Sequence, residues 1–287
     1  MAVSAASVQE LRPRRRVSIG RVLALVVLIA MTIIALFPMY WLFSSAFTPT
    51  QYTINTSPFF PTNPSLDNFR RLFRFANDYW RWVANSLFVA VAVTAFHMFF
   101  DTMAGYAFAK RRFPGRNILF WLILSTLMIP DHVTLVPKYI VAREVGLLGS
   151  LWAVILPGMA RVFGIFLMRQ YIQTLPSELI EAGRIDGASE LGIFTRIILP
   201  LCKPALAALA IFTFVYYWND FLWPLIVLQR SESFTLPVGV ASLQGEFGTD
   251  YGVIFAGAAL AALPMIIFFL AFQRYFLEGV RMGAVKG

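Results

Sequence analysis

The chain has 287 residues, of which 59% are hydrophobic and only 14% are charged. Soluble domains typically carry about 25% charged residues, so this composition excludes an ordinary soluble domain and indicates a membrane protein. The formal net charge of +9 would also suit nucleic-acid binding, but no basic face remains once the apolar runs are set aside, so we predict no nucleic-acid partner.

Apolar runs of about 20 residues, long enough to cross a bilayer as a helix, recur along the chain. We therefore predict an all-α, polytopic membrane protein with six transmembrane helices. The first run is too long for a signal peptide and is predicted to be a signal anchor. The predicted spans are Val22–Phe47, Val83–Ala109, Ile118–Val141, Leu151–Tyr171, Ala205–Leu228 and Gly252–Phe276.

The distribution of lysine and arginine predicts how these spans are oriented. Cytoplasmic loops are richer in these residues than the opposite loops, and here the excess falls at both termini and in alternate loops. We predict that both termini are cytoplasmic. The predicted parts are a cytoplasmic N-terminal segment (1–21), a transmembrane domain (22–276) with a cytoplasmic loop (172–203), and a cytoplasmic C-terminal tail (277–287).

Several ionisable residues fall inside or beside the predicted spans, where an unpaired charge is costly. They are His97, Asp101, Asp131, His132, Arg161 and Asp220. Counting about 1.5 Å per residue along each helix places Arg161 and Asp220 at similar depths. We predict that these two side chains form an ion pair; the alternatives are that Arg161 snorkels to the interface or faces another subunit.

The polar stretch between the fourth and fifth spans begins with a predicted short helix and a turn. Pro176 suits the first turn of a helix, which continues over Ser177–Ile185. Asp186 and Gly187 then supply a turn, because glycine adopts positive φ without strain.

A second short helix is predicted after this turn. Ser189 can cap it, and Leu191, Phe194 and Ile198 recur on one face at helical spacing. The two helices together form an amphipathic element. It is either a docking surface for another protein or an element lying on the lipid surface, and the residues alone favour neither.

A polar and aromatic cluster lies near the outer end of the fifth span. It consists of Tyr217, Trp218, Asn219 and Asp220. Aromatic rings beside hydrogen-bonding groups suit the faces and hydroxyl groups of a sugar in a translocation pathway. Helix packing, gating or anchoring at the membrane interface explains the same residues.

Residues 181–188, EAGRIDGA, followed by IILP at 197–200, resemble the EAA loop of permease subunits of bacterial ABC importers. Gly183 stands where that loop usually has its second alanine. Further stretches resemble the carbohydrate-uptake class, which includes the six-span maltose-transporter permease subunit. They are MIPDHVTLVPKY (128–139), YYWNDFLWPLIVL (216–228), FTLPVGVASLQGEFGTDYG (234–252) and QRYFLEGVRMGAVKG (273–287).

The resemblance implies an ABC-importer permease fold, in which the EAA loop forms a cytoplasmic coupling helix seated on an ATPase subunit. The residues it assigns to this contact are Glu181, Ala182, Gly183, Asp186, Gly187 and Ala188. It also implies that the tail reaches the ATPase subunits through Gly283, Ala284, Val285 and Lys286; the alternative is a frayed terminus. The outer loop Gln229–Tyr251 would contact the binding protein.

The implied function is ATP-driven import of sugars or oligosaccharides across the cytoplasmic membrane of a prokaryotic cell. The implied partners are a second permease subunit, two ATP-binding cassette ATPase subunits and an extracytoplasmic sugar-binding protein. The sequence has no GxxxxGK[ST] phosphate-binding loop. We therefore predict no enzyme activity, catalytic residue, cofactor or metal for this chain, with ATP and Mg²⁺ bound by the ATPase subunits.

Other functions stay open at this point. A permease for glycerol-3-phosphate or another polyol would share the same motifs. An ion-coupled secondary transporter should show a ladder of buried carboxylates and an internal repeat, and neither is clear in the sequence. A membrane scaffold without transport would give no reason for the polar stretch at 181–188.

Overall fold

The computed structural model describes the backbone of residues 19–49, 63–246 and 250–284, and their side chains except at 245, 246 and 275–284. Every regular element in these ranges is a helix, which confirms the all-α prediction. Short 3-10 helices cover Thr126–Met128, Leu156–Gly158 and Ser231–Ser233, and a π-helix covers Phe194–Ile198. The α-helices are α1 (Ile19–Phe47), α2 (Asp67–Phe75), α3 (Tyr79–Lys110), α4 (Arg116–Ser125), α5 (Leu135–Glu144), α6 (Trp152–Ile155), α7 (Val162–Gln173), α8 (Glu178–Ile185), α9 (Glu190–Ile193), α10 (Leu199–Leu201), α11 (Lys203–Trp218), α12 (Leu222–Val227), α13 (Leu236–Glu246) and α14 (Tyr251–Ala284).

Within the described ranges, three helices are long and apolar enough to cross a membrane without interruption. They are Ile19–Ala46, Tyr79–Lys110 and Tyr251–Arg274. Two bent helix pairs bring the number of candidate spans to as many as five. They are Trp152–Gly158 with Val162–Gln173, bent by 41°, and Glu190–Leu201 with Lys203–Trp218, bent by 80°. Five of the six predicted spans therefore have a counterpart among the described residues, two of them bent, whereas the third, Ile118–Val141, has only the shorter apolar helix Arg116–Met128.

The predicted third span, Ile118–Val141, is divided into two helices. The first part ends with the 3-10 turn at Met128, and α5 begins only at Leu135. Pro130 accounts for the break, because a residue that precedes proline is pushed out of the helical region. Ile129 is accordingly extended, with φ −87° and ψ 116°.

The last two predicted spans have different ends from those expected. Helix α11 stops at Trp218, well before the predicted end at Leu228, and the remainder forms the separate helix α12. Helix α14 instead continues beyond Phe276 to Ala284. No proline follows Pro264 in the sequence, so nothing in the chain forces the helix to stop at the membrane boundary.

Helix α3 is the centre of the bundle and packs along both α7 and α11. One buried core surrounds its first turns, where Tyr79 and Trp82 meet Val253 of α14. A second core surrounds its other end, where Tyr106 meets Ile172 of α7 and the helices after it. The apolar window of α1 is 0% buried inside the chain, so this helix is available to lipid or to another subunit.

Candidate functional site

The segment between α7 and α11 has the predicted helix–turn–helix geometry; residues 172–203 are called the coupling segment below. Helix α8 covers Glu178–Ile185, and Gly187 makes the turn with φ +77°. Ser189 caps α9, because its Oγ accepts the backbone N–H of Gly192 at 3.1 Å. A Cβ at Gly187 would meet no atom within 4 Å, so the positive φ alone requires glycine.

The outer surface of the coupling segment combines apolar and charged groups. Ile185 is 86% exposed and Leu191 is 63% exposed, although both are large aliphatic side chains. The predicted ATPase-contact residues that share this exposure are Glu181, Ala182, Asp186, Gly187 and Ala188. Exposed apolar groups inside a polar rim are typical of a protein–protein contact.

Gly183 differs from its neighbours because it packs inside the coupling segment. It is buried, and a Cβ in its place would lie 2.7 Å from Cδ1 of Ile197. Gly183 therefore packs within this chain, and its predicted contact with an ATPase subunit stays a prediction. Its small size lets α8 pack against the second helix of the segment.

The predicted apolar face of that second helix is correct at two positions and wrong at the third. Phe194 and Ile198 are buried, but the third buried position is Ile193 rather than Leu191. The π-helix Phe194–Ile198 explains the change. Its hydrogen bonds run to the fifth residue rather than the fourth, so the buried face is displaced along the sequence.

Glu190 attaches the coupling segment to the end of α3. Its carboxylate forms an ion pair with Arg111, and its Oε1 lies 3.2 Å from Nε of Arg184. The hydroxyl of Tyr106 donates to Oε2 at 3.2 Å. Burial acts to raise the pKa of Glu190, but the hydrogen bond and charge of Arg111, together with Arg184, outweigh it and hold the pKa below its ordinary value.

Lys110 provides a second attachment at the same end of α3. Its Nζ donates to the backbone carbonyl of Leu175 at 2.5 Å and to Oγ of Ser177 at 3.2 Å. The last turn of α3 therefore holds both the entry to α8 and the start of α9. A displacement of the coupling segment would therefore be transmitted to the central helix α3 through these contacts.

A cavity of about 900 Å³ lies within the helix bundle. Residues from the interruptions of three predicted spans line it: Pro130 and Asp131 from the third, Gly158 and Arg161 from the fourth, and Asp220 from the fifth. Non-helical backbone at membrane depth is tolerated where it is buried in protein or lines a water-filled cavity. The breaks therefore mark the region where a polar solute could pass.

The predicted ion pair between Arg161 and Asp220 is wrong. Nη2 of Arg161 instead lies 2.9 Å from Oδ2 of Asp131, and its guanidinium carbon lies 4.2 Å from the centre of the Tyr216 ring. The prediction from depth assumed that both spans are straight helices. Arg161 in fact lies in extended backbone just before α7, and Asp131 lies in the break of the third predicted span.

The aromatic cluster at 217–220 has two different roles. Tyr217 and Trp218 are 6% and 4% exposed, so both side chains pack inside the chain, and a contact of this cluster with sugar stays a prediction. Asn219 is exposed, and its amide returns to the backbone of its own helix at 2.8 Å. Of the four residues, Tyr217 and Asp220 line the cavity. Asp220 lies within the electrostatic reach of Lys138.

His97 and Asp101 form a buried pair on α3, and His97 is one of the residues that line the cavity. Nδ1 of His97 lies 2.6 Å from Oδ2 of Asp101, and the residues are 1% and 0% exposed. Nε2 of His97 lies 2.7 Å from the carbonyl oxygen of Gly158. The sequence did not predict this pair, although the spacing of four residues places both side chains on one face of a helix.

The outer stretch predicted as a loop, Gln229–Tyr251, is partly helical and packs on α3. Nε1 of Trp82 donates to the backbone carbonyl of Ser231 at 2.9 Å. A Cβ at Gly239 would lie 2.1 Å from the Trp82 ring, so glycine is required where α13 crosses α3. Residues 229–244 of this stretch therefore form a structured cap on the bundle.

The predicted tail contact is only partly within the described residues. Gly283 and Ala284 belong to the last turn of α14, whereas Val285 and Lys286 lie outside the described ranges. The contact with ATPase subunits stays a prediction.

Residues 101–282 match the family described as binding-protein-dependent transport system inner membrane component. The arabinooligosaccharides transport system permease protein AraQ of Halalkalibacterium halodurans is 41% identical, with 88% of this chain and 92% of that protein covered. The diacetylchitobiose uptake system permease protein DasC of Streptomyces coelicolor is 34% identical, with 95% and 100% covered. The sn-glycerol-3-phosphate transport system permease protein UgpE of Escherichia coli O157:H7 is 34% identical, with 86% and 91% covered.

A solved structure shares the fold. A chain of a bacterial ABC transporter involved in the import of the acidic polysaccharide alginate superposes with a TM-score of 0.82 at 24% identity, covering 90% of this chain and 96% of that one. The family match extends over more than half of the sequence and includes both the coupling segment and the cavity-lining breaks. The chain belongs to the binding-protein-dependent transport system inner membrane components, the permease subunits of ABC importers.

Proposed function

We propose that this chain is the permease subunit of an ATP-driven importer of neutral oligosaccharides. A second permease subunit would form the other half of the pathway, two ATP-binding cassette ATPase subunits would supply energy, and an extracytoplasmic sugar-binding protein would deliver the substrate. One observation carries the proposal. The cavity where three helix breaks meet and the exposed coupling segment are joined to the same central helix, α3.

The size and lining of the cavity support a sugar as the substrate. A volume of about 900 Å³ is in the range of small-molecule sites, which are about 300–1,000 Å³. The carboxylates of Asp131 and Asp220 can accept hydrogen bonds from hydroxyl groups. The rings of Tyr216 and Trp223 provide apolar surface for the faces of sugar rings.

The charges of the cavity favour a neutral substrate. Arg161 is paired with Asp131 at 2.9 Å. Lys138 lies 4.5 Å from the centre of the Trp223 ring and within the electrostatic reach of Asp220. Both described cations of the lining therefore have a carboxylate neighbour. An anion such as glycerol-3-phosphate would have to compete with these carboxylates for the cations.

The coupling segment supports the assignment of an ATPase partner. Ile185 and Leu191 are exposed on a surface that also carries Glu181. A cleft on an ATPase subunit would bury these aliphatic side chains. Movement of that subunit would then reach α3 through Glu190 and Lys110, and the tail residues 283–286 would provide a second contact.

The outer cap supports a binding-protein partner on the opposite side of the membrane. Helix α13 and the turn before it are fixed on α3 through Trp82 and Asn85. A transporter of similar fold, at a TM-score of 0.61, has been solved in complex with an alginate pentasaccharide-bound periplasmic protein. We propose accordingly that both termini and the coupling segment lie in the cytoplasm of a prokaryotic cell.

Uptake into proteoliposomes tests this proposal. The complex of this chain with its companion permease and ATPase subunits would be reconstituted with ATP in the lumen and the cognate binding protein outside. Labelled arabinotriose, diacetylchitobiose and galactobiose would be compared with sn-glycerol-3-phosphate and an alginate disaccharide. We expect ATP-dependent accumulation of a neutral oligosaccharide, and no ATP hydrolysis by this chain when it is purified alone.

The remaining outcomes of the panel separate the alternatives. Accumulation of sn-glycerol-3-phosphate without any neutral sugar would replace the proposal with the polyol-phosphate alternative. Accumulation that follows an ion gradient and does not need ATP would contradict the importer mechanism altogether. A non-hydrolysable ATP analogue in the lumen provides the matched negative control.

A further inference from the structure

The break in the fourth predicted span leaves backbone groups that no helix can satisfy. The 3-10 turn ends at Gly158 and α7 begins at Val162. Inside a membrane each unsatisfied peptide group is costly, so other groups must supply hydrogen bonds. The side chains of His97 and Asp101, which reach across from α3, do so at two of these positions.

His97 and Asp101 bind opposite sides of the break. Nε2 of His97 lies 2.7 Å from the carbonyl oxygen of Gly158, which also accepts the hydroxyl of Tyr217 at 3.3 Å. Oδ1 of Asp101 accepts the backbone N–H of Arg161 at 3.2 Å. The pair therefore fixes the peptide from which the Arg161 side chain extends into the cavity.

The distances determine where the protons of this pair must be. A carbonyl oxygen only accepts hydrogen bonds, so Nε2 of His97 carries a proton and donates it to Gly158. Nδ1 of His97 and Oδ2 of Asp101 are 2.6 Å apart, and two lone pairs at that distance would repel, so one proton lies between them. With these two protons the pair has zero net charge, whichever of the two atoms holds the shared one.

The surrounding glycines indicate that the fold reserves space for this pair. A Cβ at Gly164 would lie 1.9 Å from Oδ2 of Asp101. A Cβ at Gly158 would lie 2.4 Å from the hydroxyl oxygen of Tyr217. Neither φ is in the left-handed region, so steric room, rather than backbone conformation, requires glycine at both positions.

We propose that His97 and Asp101 are positioning residues of the translocation pathway, which hold the break of the fourth span as a net-neutral pair with one shared proton. They keep the Gly158–Arg161 backbone in place and thereby set the position of the Arg161 guanidinium beside Asp131 and Tyr216. The role in transport rests on the proposed function, whereas the proton arrangement can be tested without any transport.

Nitrogen NMR of the complete complex tests the proton arrangement. The chain has two histidines, so ¹⁵N-histidine labelling with the variant His132→Gln leaves His97 as the only signal from this chain when the partners are unlabelled. We expect a directly bonded proton on Nε2. In Asp101→Asn, Nε2 should keep its proton and Nδ1 should become an unprotonated acceptor of the amide N–H. An unprotonated Nε2 in the wild-type pair would overturn the proposal.

Uptake of the best-transported neutral sugar of the panel tests the positioning role. Asparagine at 101 can accept from Arg161 through its oxygen and donate to His97 through its nitrogen, so Asp101→Asn should keep uptake within about twofold of wild type. Asp101→Leu removes both bonds from a buried site and should lower uptake by about tenfold or more at equal membrane levels. Gly164→Ala should have a similar effect while both members of the pair are retained.

Thr102→Val is the matched control for these variants. Thr102 is also buried on α3, but its hydroxyl bonds only to the carbonyl of Met98 in its own helix. Its uptake should stay near that of the wild type. If Asp101→Asn is as damaging as Asp101→Leu, or if Asp101→Leu transports normally, the positioning role is wrong. A complex that transports no sugar of the panel contradicts the proposed function, and the NMR result still decides the proton arrangement.

Discussion

The coupling segment and the transmembrane cavity are both attached to α3, but they are built in opposite ways. The coupling segment is made of consecutive residues, and its pair Arg184–Glu190 joins positions only six apart. In the cavity, Arg161 and Asp131 are 30 positions apart and His97 and Gly158 are 61 apart. A short sequence motif can therefore describe the first region, whereas only folding assembles the second.

The two regions also differ in how strongly their polar groups are held. The ion pairs of Glu190 join side chains that are 40% to 46% exposed, where water and salt weaken each pair. The His97–Asp101 pair is almost completely buried. In the coupling segment we therefore expect the largest loss of uptake from substitutions that change the backbone geometry. At the His97–Asp101 pair we expect it from substitutions that remove individual hydrogen bonds.

The largest loss of ATP-driven uptake is expected from Gly187→Pro. Gly187 has φ +77°, and proline fixes φ near −65° and removes the N–H, so the turn cannot form. ATP-driven uptake should fall by at least about tenfold, while the chain still inserts in the membrane. Gly146, with φ +74° and open space around it, lies in a loop outside the coupling segment. Gly146→Pro is therefore the control, and equal loss in both variants would point to general misfolding.

A smaller effect is expected from Glu181→Lys, which reverses a charge on the exposed surface of α8. The side chain is exposed, so folding should be unchanged. Docking to the ATPase should weaken several-fold, on the order of one charge-pair contact. The affinity of the purified permease pair for the ATPase subunits measures this. Glu178→Lys, one turn earlier on the same helix and also exposed, separates a specific contact from a general charge effect.

A still smaller loss of uptake, reversible by a second change, is expected at Glu190. Glu190→Lys places a cation between Arg111 and Arg184 and should release the segment from α3. The double variant Glu190→Lys with Arg111→Glu restores one opposite-charge pair and should recover part of the uptake. The ratio of sugar transported to ATP hydrolysed is the quantity to measure. Absence of recovery would mean that Glu190 does not act through Arg111.

The smallest effect, on the stability of the complex, is expected from removing the Arg161–Asp131 ion pair of the cavity. Arg161 and Asp131 are 34% and 67% exposed, so their interaction should be worth only about 0.2–1 kcal/mol. A double-mutant cycle of Arg161→Met and Asp131→Asn, followed by thermal unfolding of the complex, should show this coupling. Arg161 is also within electrostatic reach of Asp220, so the same cycle with Asp220→Asn should show a weaker coupling. A larger coupling energy of Arg161 with Asp220 than with Asp131 would instead support the Arg161–Asp220 pair that was predicted from depth in the membrane.

The sequence predicted the elements whose causes are local. Gly187 and Ser189 each determine a turn or a cap through their own backbone preference and side chain, and both were found where expected. The helical class followed from the long apolar runs. The buried face of the second short helix was predicted incorrectly at Leu191. The π-helix that displaces this face depends on packing, and the pattern of apolar residues does not indicate it.

The rest was decided by tertiary structure, because it depends on which broken helices meet. Pro130 predicts a kink, but the sequence does not state that the gap it leaves brings Asp131 to Arg161. The spacing of His97 and Asp101 places them on one helix face, but their partners Gly158 and Arg161 belong to another break of the chain. In a membrane every unsatisfied peptide group is costly. The side chains that satisfy those groups are therefore selected by proximity in the folded bundle, and that proximity cannot be read from residue order.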